Sequence, residues 1–249
     1  MTTTKKNKIF PVVNYDDDGS VDVAAMDESY SDVIILADKP KEWSSNGVLN
    51  VLKKKLGIKK AGHSGTLDPM ATGLLVICTG KMTKKISGFI DYNKEYEGII
   101  KIGAKTESFD TETEEYDLTD ASHVTDEDVE AVRKKFLGEI MQIPPMHSAL
   151  KHKGKPLYKL ARKGKEIDRE PRKVTVSEFE LKRVNENELA FRILCSKGTY
   201  IRSIANDIGA ELGVGGYLKE LRRTSVGEFS LGEMDMEIND IRFRVLPSE

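Results

Sequence analysis

The segment Gly62-His63-Ser64-Gly65-Thr66-Leu67-Asp68-Pro69, followed by Met70-Ala71-Thr72-Gly73-Leu74-Leu75-Val76-Ile77-Cys78, constrains this chain more than any other. Pro69 disfavours helical dihedrals at Asp68 and biases it toward an extended conformation. Gly62 and Gly65 permit backbone geometry, or a close approach of another backbone, that residues with a Cβ resist. One acid is thereby held in a defined direction just ahead of an apolar run. Asp-Pro and Gly-Thr pairs are also ordinary turn chemistry. The residues alone therefore leave two readings open, a connecting loop or the seat of a nucleophile or general base.

With 249 residues, the chain is long enough for one large domain or two modest ones, and its 39% hydrophobic share can fill a core. The formal net charge is only −2, so any nucleic-acid site must come from local charge asymmetry. The two cysteines, Cys78 and Cys195, sit in apolar runs and read as reduced core residues of a cytoplasmic protein. No stretch approaches the roughly eighteen apolar residues of a membrane helix. Residues 1–32 have no apolar leader, carry Asp16-Asp17-Asp18, and read as a flexible extension with a strand around Ile9-Phe10-Pro11-Val12-Val13.

Val33-Ile34-Ile35-Leu36-Ala37 and Leu74 to Cys78 read as buried strands, Tyr96 to Ile102 as a third, and Glu188 to Cys195 as a half-buried strand with a period of two. Ser44 or Ser45 caps a helix whose face is Val48, Val51, Leu52 and Leu56, ended by Gly57. Thr125 caps a second helix with Asp126, Glu127 and Asp128 in its first turn and Gly138 as its stop. A third carries Ile201, Ile204, Ala205, Ile208 and Leu212 on one face.

Charge is segregated along the chain. Thr106 to Glu130 holds eleven acids and no lysine or arginine, which reads as a solvated face that RNA avoids. Lys151 to Lys173 holds ten lysines and arginines, broken by Gly154, Pro156, Gly164 and Pro171 around one short helix at Leu157, Leu160 and Ala161. A projecting basic loop–helix–loop with little core of its own suits contact with phosphates.

Gly-His-x-Gly-Thr-Leu-Asp-Pro-x-Ala-x-Gly-Leu-Leu closely resembles the active-site motif of the TruB family of pseudouridine synthases. Further segments resemble other family motifs: Leu36-Ala37-Asp38-Lys39-Pro40 with Trp43-Ser44-Ser45-Asn46, and Lys94-Glu95-Tyr96. So do Gln142-Ile143-Pro144-Pro145-Met146-His147-Ser148-Ala149-Leu150-Lys151 with Tyr158-x-x-Ala161-Arg162, Ser196-Lys197-Gly198-Thr199-Tyr200-Ile201-Arg202, and Leu221-Arg222-Arg223. Together they span about Val33 to Gly227.

The resemblance implies an α/β fold of the α+β type: a central mixed, largely antiparallel sheet, flanking helices and a basic RNA-gripping insertion at about 143–173. It implies one catalytic domain over 33–249 without the C-terminal PUA module that many members carry. It implies isomerisation of uridine to pseudouridine in the T-arm loop of tRNA, at position 55, by a monomer acting without an obligatory protein partner or a membrane. Because uracil is detached, rotated and rejoined through carbon, no metal or organic cofactor is expected.

Asp68 would be the nucleophile. Arg202 would pair with it and hold it ionised. Tyr96 would stack on the extracted base and handle a proton at C5. His63 would occupy space near the displaced base, Lys39 would approach the loop or the RNA, and Leu221 would wall the pocket with Arg222 or Arg223 toward phosphate. Tyr200, Lys151 and Arg162 would complete substrate binding. From their chemistry alone, Tyr96 reads as a core aromatic and His63 as a plain polar residue, while Arg202 reads equally as a structural ion pair. A guide-dependent synthase, a non-catalytic RNA-folding chaperone and a metal-dependent hydrolase are the rival readings, the last lacking any ligand-spaced cluster.

Overall fold

In a computed structural model, the described residues are 30–148, 150–152 and 154–247. The strand expected at Ile9–Val13 and the extension up to residue 29 lie outside the described residues. Tyr30 already belongs to the domain: it is 1% exposed, and its carbonyl accepts a 2.7 Å hydrogen bond from the Thr79 hydroxyl.

The elements run β1 (Ile34–Lys39), α1 (Ser45–Lys55), β2 (Ala61–His63), β3 (Thr72–Thr79), α2 (Ile86–Ile90), β4 (Lys94–Ile102), β5 (Lys105–Thr106) and β6 (Glu115–Tyr116). Then come α3 (Asp126–Lys135), β7 (Gly138–Gln142), β8 (Lys151–His152), β9 (Lys155–Pro156), α4 (Leu157–Ala161) and β10 (Arg172–Asn185). The chain closes with β11 (Glu188–Cys195), α5 (Ile201–Glu211), β12 (Gly216–Val226), β13 (Phe229–Ser230), β14 (Met236–Ile238) and β15 (Ile241–Leu246).

Among the described residues, eleven strands form one sheet, in the order β14-β15-β1-β3-β12-β4-β11-β10-β7, with β2 on β3 and β13 on β12. Every pairing is antiparallel except β3 with β12. β1 and β3 are buried on both faces, which is why both read as continuous apolar runs. β11 alternates buried and half-buried residues because one of its faces is open. Helices α3 and α5 cover one side of the sheet with Val129, Val132, Phe136, Ile201, Ile204 and Ile208, while α1 covers the β1–β3 end with Val48 and Leu52. Thr125 and Asp128 close a capping box on α3, so the acid three residues on serves the cap as well as the dipole.

The parallel β3–β12 contact positions the site. It sets Arg223 opposite Gly73, five residues after Asp68. Gly73 has φ +103°, and a Cβ there would lie 2.3 Å from the Arg223 carbonyl oxygen, so only glycine lets the two backbones meet. Leu221–Val226 form the second half of β12, a central strand. The long β10 and the terminal β14 and β15 carry a polar alternation that, in sequence alone, resembles a solvated surface.

Cys78 and Cys195 are free and buried, and burial pushes their thiols up to about 11 and about 12. Among the described residues, no helix is long and apolar enough to cross a membrane.

Candidate active site

The loop carrying Asp68 is braced along its length. Ser44 caps α1 by accepting from the Gly47 amide at 2.9 Å, which leaves Ser45 for another task. The Ser45 hydroxyl accepts from the Leu67 amide at 2.8 Å and donates to the Leu67 carbonyl at 3.1 Å. The Pro69 carbonyl accepts from the Glu42 amide at 2.8 Å and from Lys39 Nζ at 3.2 Å. Arg223 Nη2 donates to the Gly65 carbonyl at 3.2 Å. These bonds fix the backbone on both sides of the acid, so its direction does not depend on the loop's own stiffness.

Three cations named from the sequence are committed to protein partners here. Lys39 is fully buried and gives its three donors to the carbonyls of Pro40, Trp43 and Pro69, at 2.9, 2.6 and 3.2 Å. It does not border the cleft and approaches the Asp68 loop, one of the two places expected for it. Burial pulls its ammonium down to about 8, against the opposing charges of Asp68 and Glu42. Arg223 is 2% exposed and donates to Leu74 and Gly65, while Arg222 forks onto Asp38 at 3.0 and 2.7 Å. Arg223 nevertheless borders the cleft, and the Arg222 side chain is 41% exposed.

Arg202, in the first turn of α5, holds Asp68 with Nε 3.0 Å from Oδ2. The Asp68 side chain is 38% exposed and that of Arg202 only 5%. The rest of the guanidinium is committed: Nη1 to the Ser108 carbonyl at 3.2 Å, Nη2 to the His147 carbonyl at 2.6 Å, and Nη1 3.4 Å from Asp110. Asp110 is itself 2% exposed, accepting from the Ser108 hydroxyl and the Glu112 amide. The acidic stretch is thus not merely a solvated face. Asp110 turns inward to the arginine and Glu112 borders the cleft. A TESFDTE run of mixed acids and hydroxyls was the available signal, and a count of charges alone hid it.

Burial pushes the Asp68 carboxyl above the ordinary range; Arg202 and Lys39 pull it back, while Asp110 and Glu112 push it further up. Arg202 thus stands where the sequence expects it, beside the acid and favouring its ionised form, with two carboxylates opposing it.

Asp68, Tyr96, Tyr200, Arg202, Leu221 and Arg162 border one cleft of about 610 Å³. Tyr96 extends from β4 opposite Arg223, half-buried, its phenol pushed up by burial with Arg223 opposing. Leu221 supplies an apolar wall. Arg162, at the end of α4, pairs with Glu112 at 2.6 Å and lies over the Tyr158 ring at 5.7 Å. The Lys151 side chain lies outside the described residues. His63 stands back from the cleft, with Nε2 3.3 Å from Asn46 Oδ1, and burial and then Arg223 lower its pKa; its neighbour Ser64 borders the cleft instead. A second groove of about 720 Å³ runs over the Glu97–Ile99 side of β4, but the Asp68 carboxylate does not reach it.

A fixed carboxylate beside two tyrosines and an aliphatic wall, in a cleft half open to solvent, can admit a flat ring and attack it. That makes the site one for covalent or general-base chemistry on an aromatic or heteroaromatic group. The family model described as "TruB family pseudouridylate synthase (N terminal domain)" matches residues 53–201, and "tRNA pseudouridylate synthase B C-terminal domain" matches 202–245. The chain belongs to the TruB family of pseudouridylate synthases. It is 48% identical over 217 residues to tRNA pseudouridine synthase B of Chloroherpeton thalassium, covering 85% of this chain and 90% of that protein. It is 45% identical over 222 residues to that of Chlorobaculum tepidum, covering 87% and 91%. Among solved structures it is similar to a Cbf5-Nop10-Gar1 complex (TM-score 0.64, 28% identity, 91% of this chain and 57% of that one). It is also similar to the archaeal box H/ACA sRNP Nop10-Cbf5 complex (TM-score 0.61, 28% identity, 82% and 51%), so it spans about half the length of those chains. The strands matched by the second family model, β12 and β15, complete the same sheet as those matched by the first.

Proposed function

We propose that the chain isomerises uridine to pseudouridine in the T-arm loop of tRNA, at position 55, acting in the cytoplasm as a monomer that needs no protein partner. The observation that carries this reading is the Asp68–Arg202 pair at 3.0 Å in a cleft bordered by Tyr96. The tRNA substrate is supported by relatives at 45–48% identity that carry the name tRNA pseudouridine synthase B. Residues 33–249 act as one catalytic domain, with about 143–173 as the grip.

A uridine stacked in a loop is beyond reach of the acid, so the base is flipped into the cleft at a cost of a few kcal/mol. Arg162 and Lys151 on the insertion hold phosphates, and stacking on Tyr96 offsets the unstacking. Asp68 is the nucleophile that splits glycosidic cleavage and carbon–carbon rejoining into two steps. Arg202 orients it; Tyr96 handles the C5 proton; Tyr200 and Leu221 confine the rotating ring. His63 acts from the rim, behind Ser64. Lys39 serves the loop backbone.

The test is to incubate the purified chain alone with unmodified tRNA and map pseudouridine along it. Product at one T-arm uridine is expected. No product, or product that appears only when a guide RNA or protein partner is added, overturns the reading.

A further inference from the structure

The geometry points to Gln142 as a positioning residue that ties the root of the insertion to the Asp68–Arg202 pair. This rests on the functional reading of that pair given above.

Gln142 is the last residue of β7 and is register partner of Arg172, so it sits where both ends of the insertion leave the sheet. It is 2% exposed, and both of its amide atoms are used by one residue. Its Nε2 donates to the Tyr200 carbonyl at 3.0 Å, and its Oε1 accepts from the Tyr200 amide at 2.8 Å. A buried side-chain amide thus does to a backbone peptide what a neighbouring strand would do. Tyr200 is the N-cap residue of α5, and no side chain of its own caps the helix. Gln142 therefore fixes the backbone of the N-cap residue from another element, without taking the place of a side-chain cap on the first-turn amides.

The link continues on both strands of the contact. The Ser203 hydroxyl donates to the Ile143 carbonyl at 3.0 Å, and Arg202 Nη2 donates to the His147 carbonyl at 2.6 Å. Residues 142–147 and 200–203 are thus stitched by four hydrogen bonds, with Arg202 among the stitched residues. A shift of the insertion root moves the start of α5, and with it the guanidinium that aims Asp68. Seating of RNA on the insertion and alignment of the acid become one mechanical event, which discourages reaction on uridines that the insertion does not hold.

Asp68 is faced by Arg202 from α5, Lys39 from β1, Asp110 and Glu112 from the segment after β5, Tyr96 from β4 and Tyr200 ahead of α5. Of these, Gln142 bonds the Tyr200 backbone directly and acts on Arg202 through it. Its loss loosens the placement of the cation beside the acid and leaves the anions in place.

The experiment measures the single-turnover rate against pH, and tRNA affinity by filter binding, for Gln142→Met, Ser203→Ala and Asp68→Asn. Gln142→Met keeps the bulk and removes both hydrogen bonds; Ser203→Ala removes the adjacent stitch with little risk to folding. We expect Gln142→Met to lose on the order of 10²-fold in rate, the cost of misplacing a reacting group by about 1 Å. Its affinity should stay within a few-fold, and the acid limb of its rate profile should move to higher pH. Ser203→Ala should move the limb in the same direction by less. A limb unmoved in both variants, or a rate loss matched by an equal loss of affinity, overturns the proposal. If Asp68→Asn retains the wild-type rate, the reading of the site itself has failed instead.

Discussion

Arg202 reaches Asp68 through Nε alone, at 3.0 Å, and spends its two terminal nitrogens on the backbone carbonyls of Ser108 and His147. One guanidinium therefore fixes three segments at once, which an ammonium cannot do with a planar fork. Arg202→Lys is expected to keep the positive charge but lose at least two of these contacts. The single-turnover rate should fall by roughly 10²-fold with tRNA still bound. A lysine variant that works at the wild-type rate would show that the fork is incidental.

The carboxylates around the acid make a pH prediction with a definite sign. Asp68 lies above the ordinary carboxylate range because burial, Asp110 and Glu112 together outweigh Arg202 and Lys39. Activity requires the ionised acid, so it is lost as pH falls through that raised value, earlier than for a free aspartate near about 3.9. Glu112→Gln removes one of the upward pushes and frees Arg162 from its 2.6 Å partner. The acid limb should then move to lower pH and tRNA affinity should rise, with a steeper salt dependence as one more cation meets phosphate. Rate profiles and binding at two salt concentrations check both halves.

Lys39→Met is expected to destabilise the fold, since it strands three carbonyls that now accept from the ammonium. The loss is about 1–3 kcal/mol for a buried acceptor left unpaired. The pH dependence identifies the cause. The folded-state pKa is about 8 against about 10.4 unfolded. Between those values the unfolded chain binds more protons, so this group's contribution to stability rises with pH and is lost as pH falls through about 8. The stability difference between wild type and variant, measured by denaturant from pH 7 to 10, should widen on going up.

Much of the catalytic loop was legible because it is written locally. Pro69 after Asp68, the glycines before it and the apolar run behind it each act on their own neighbours. The buried strands β1 and β3 and the caps at Ser44 and Thr125 were readable for the same reason. What stayed hidden depends on residues far apart in sequence. The three carbonyls that hold Lys39 come together only in the fold. The bonds from Arg223 to Leu74 and Gly65 form only once β12 lies against β3. Asp110 is one acid among eleven between Thr106 and Glu130 until the fold turns it toward Arg202. The division of labour between Ser44 and Ser45, cap and loop brace, is invisible in a Ser-Ser pair.

The last turns of α5 also depend on a close packing contact. A Cβ on Gly209 would fall 2.1 Å from the Gly216 amide nitrogen, because the helix rests directly on the backbone that leads into β12. Gly209→Ala is expected to push the helix off and cost about 1–3 kcal/mol through overpacking. Since Arg202 lies two turns earlier on the same helix, the activity of the folded fraction should fall as well. A thermal melt together with the rate per folded molecule separates the two effects.

The most direct measurement is pseudouridine formation by Asp68→Asn on unmodified tRNA under single-turnover conditions, with binding followed in parallel. The substitution keeps the size and one acceptor oxygen, turns the other oxygen into an NH2 donor, and removes the negative charge and its nucleophilicity. Full tRNA binding with no detectable product is the expected result; product at the wild-type rate would contradict the role assigned to this acid.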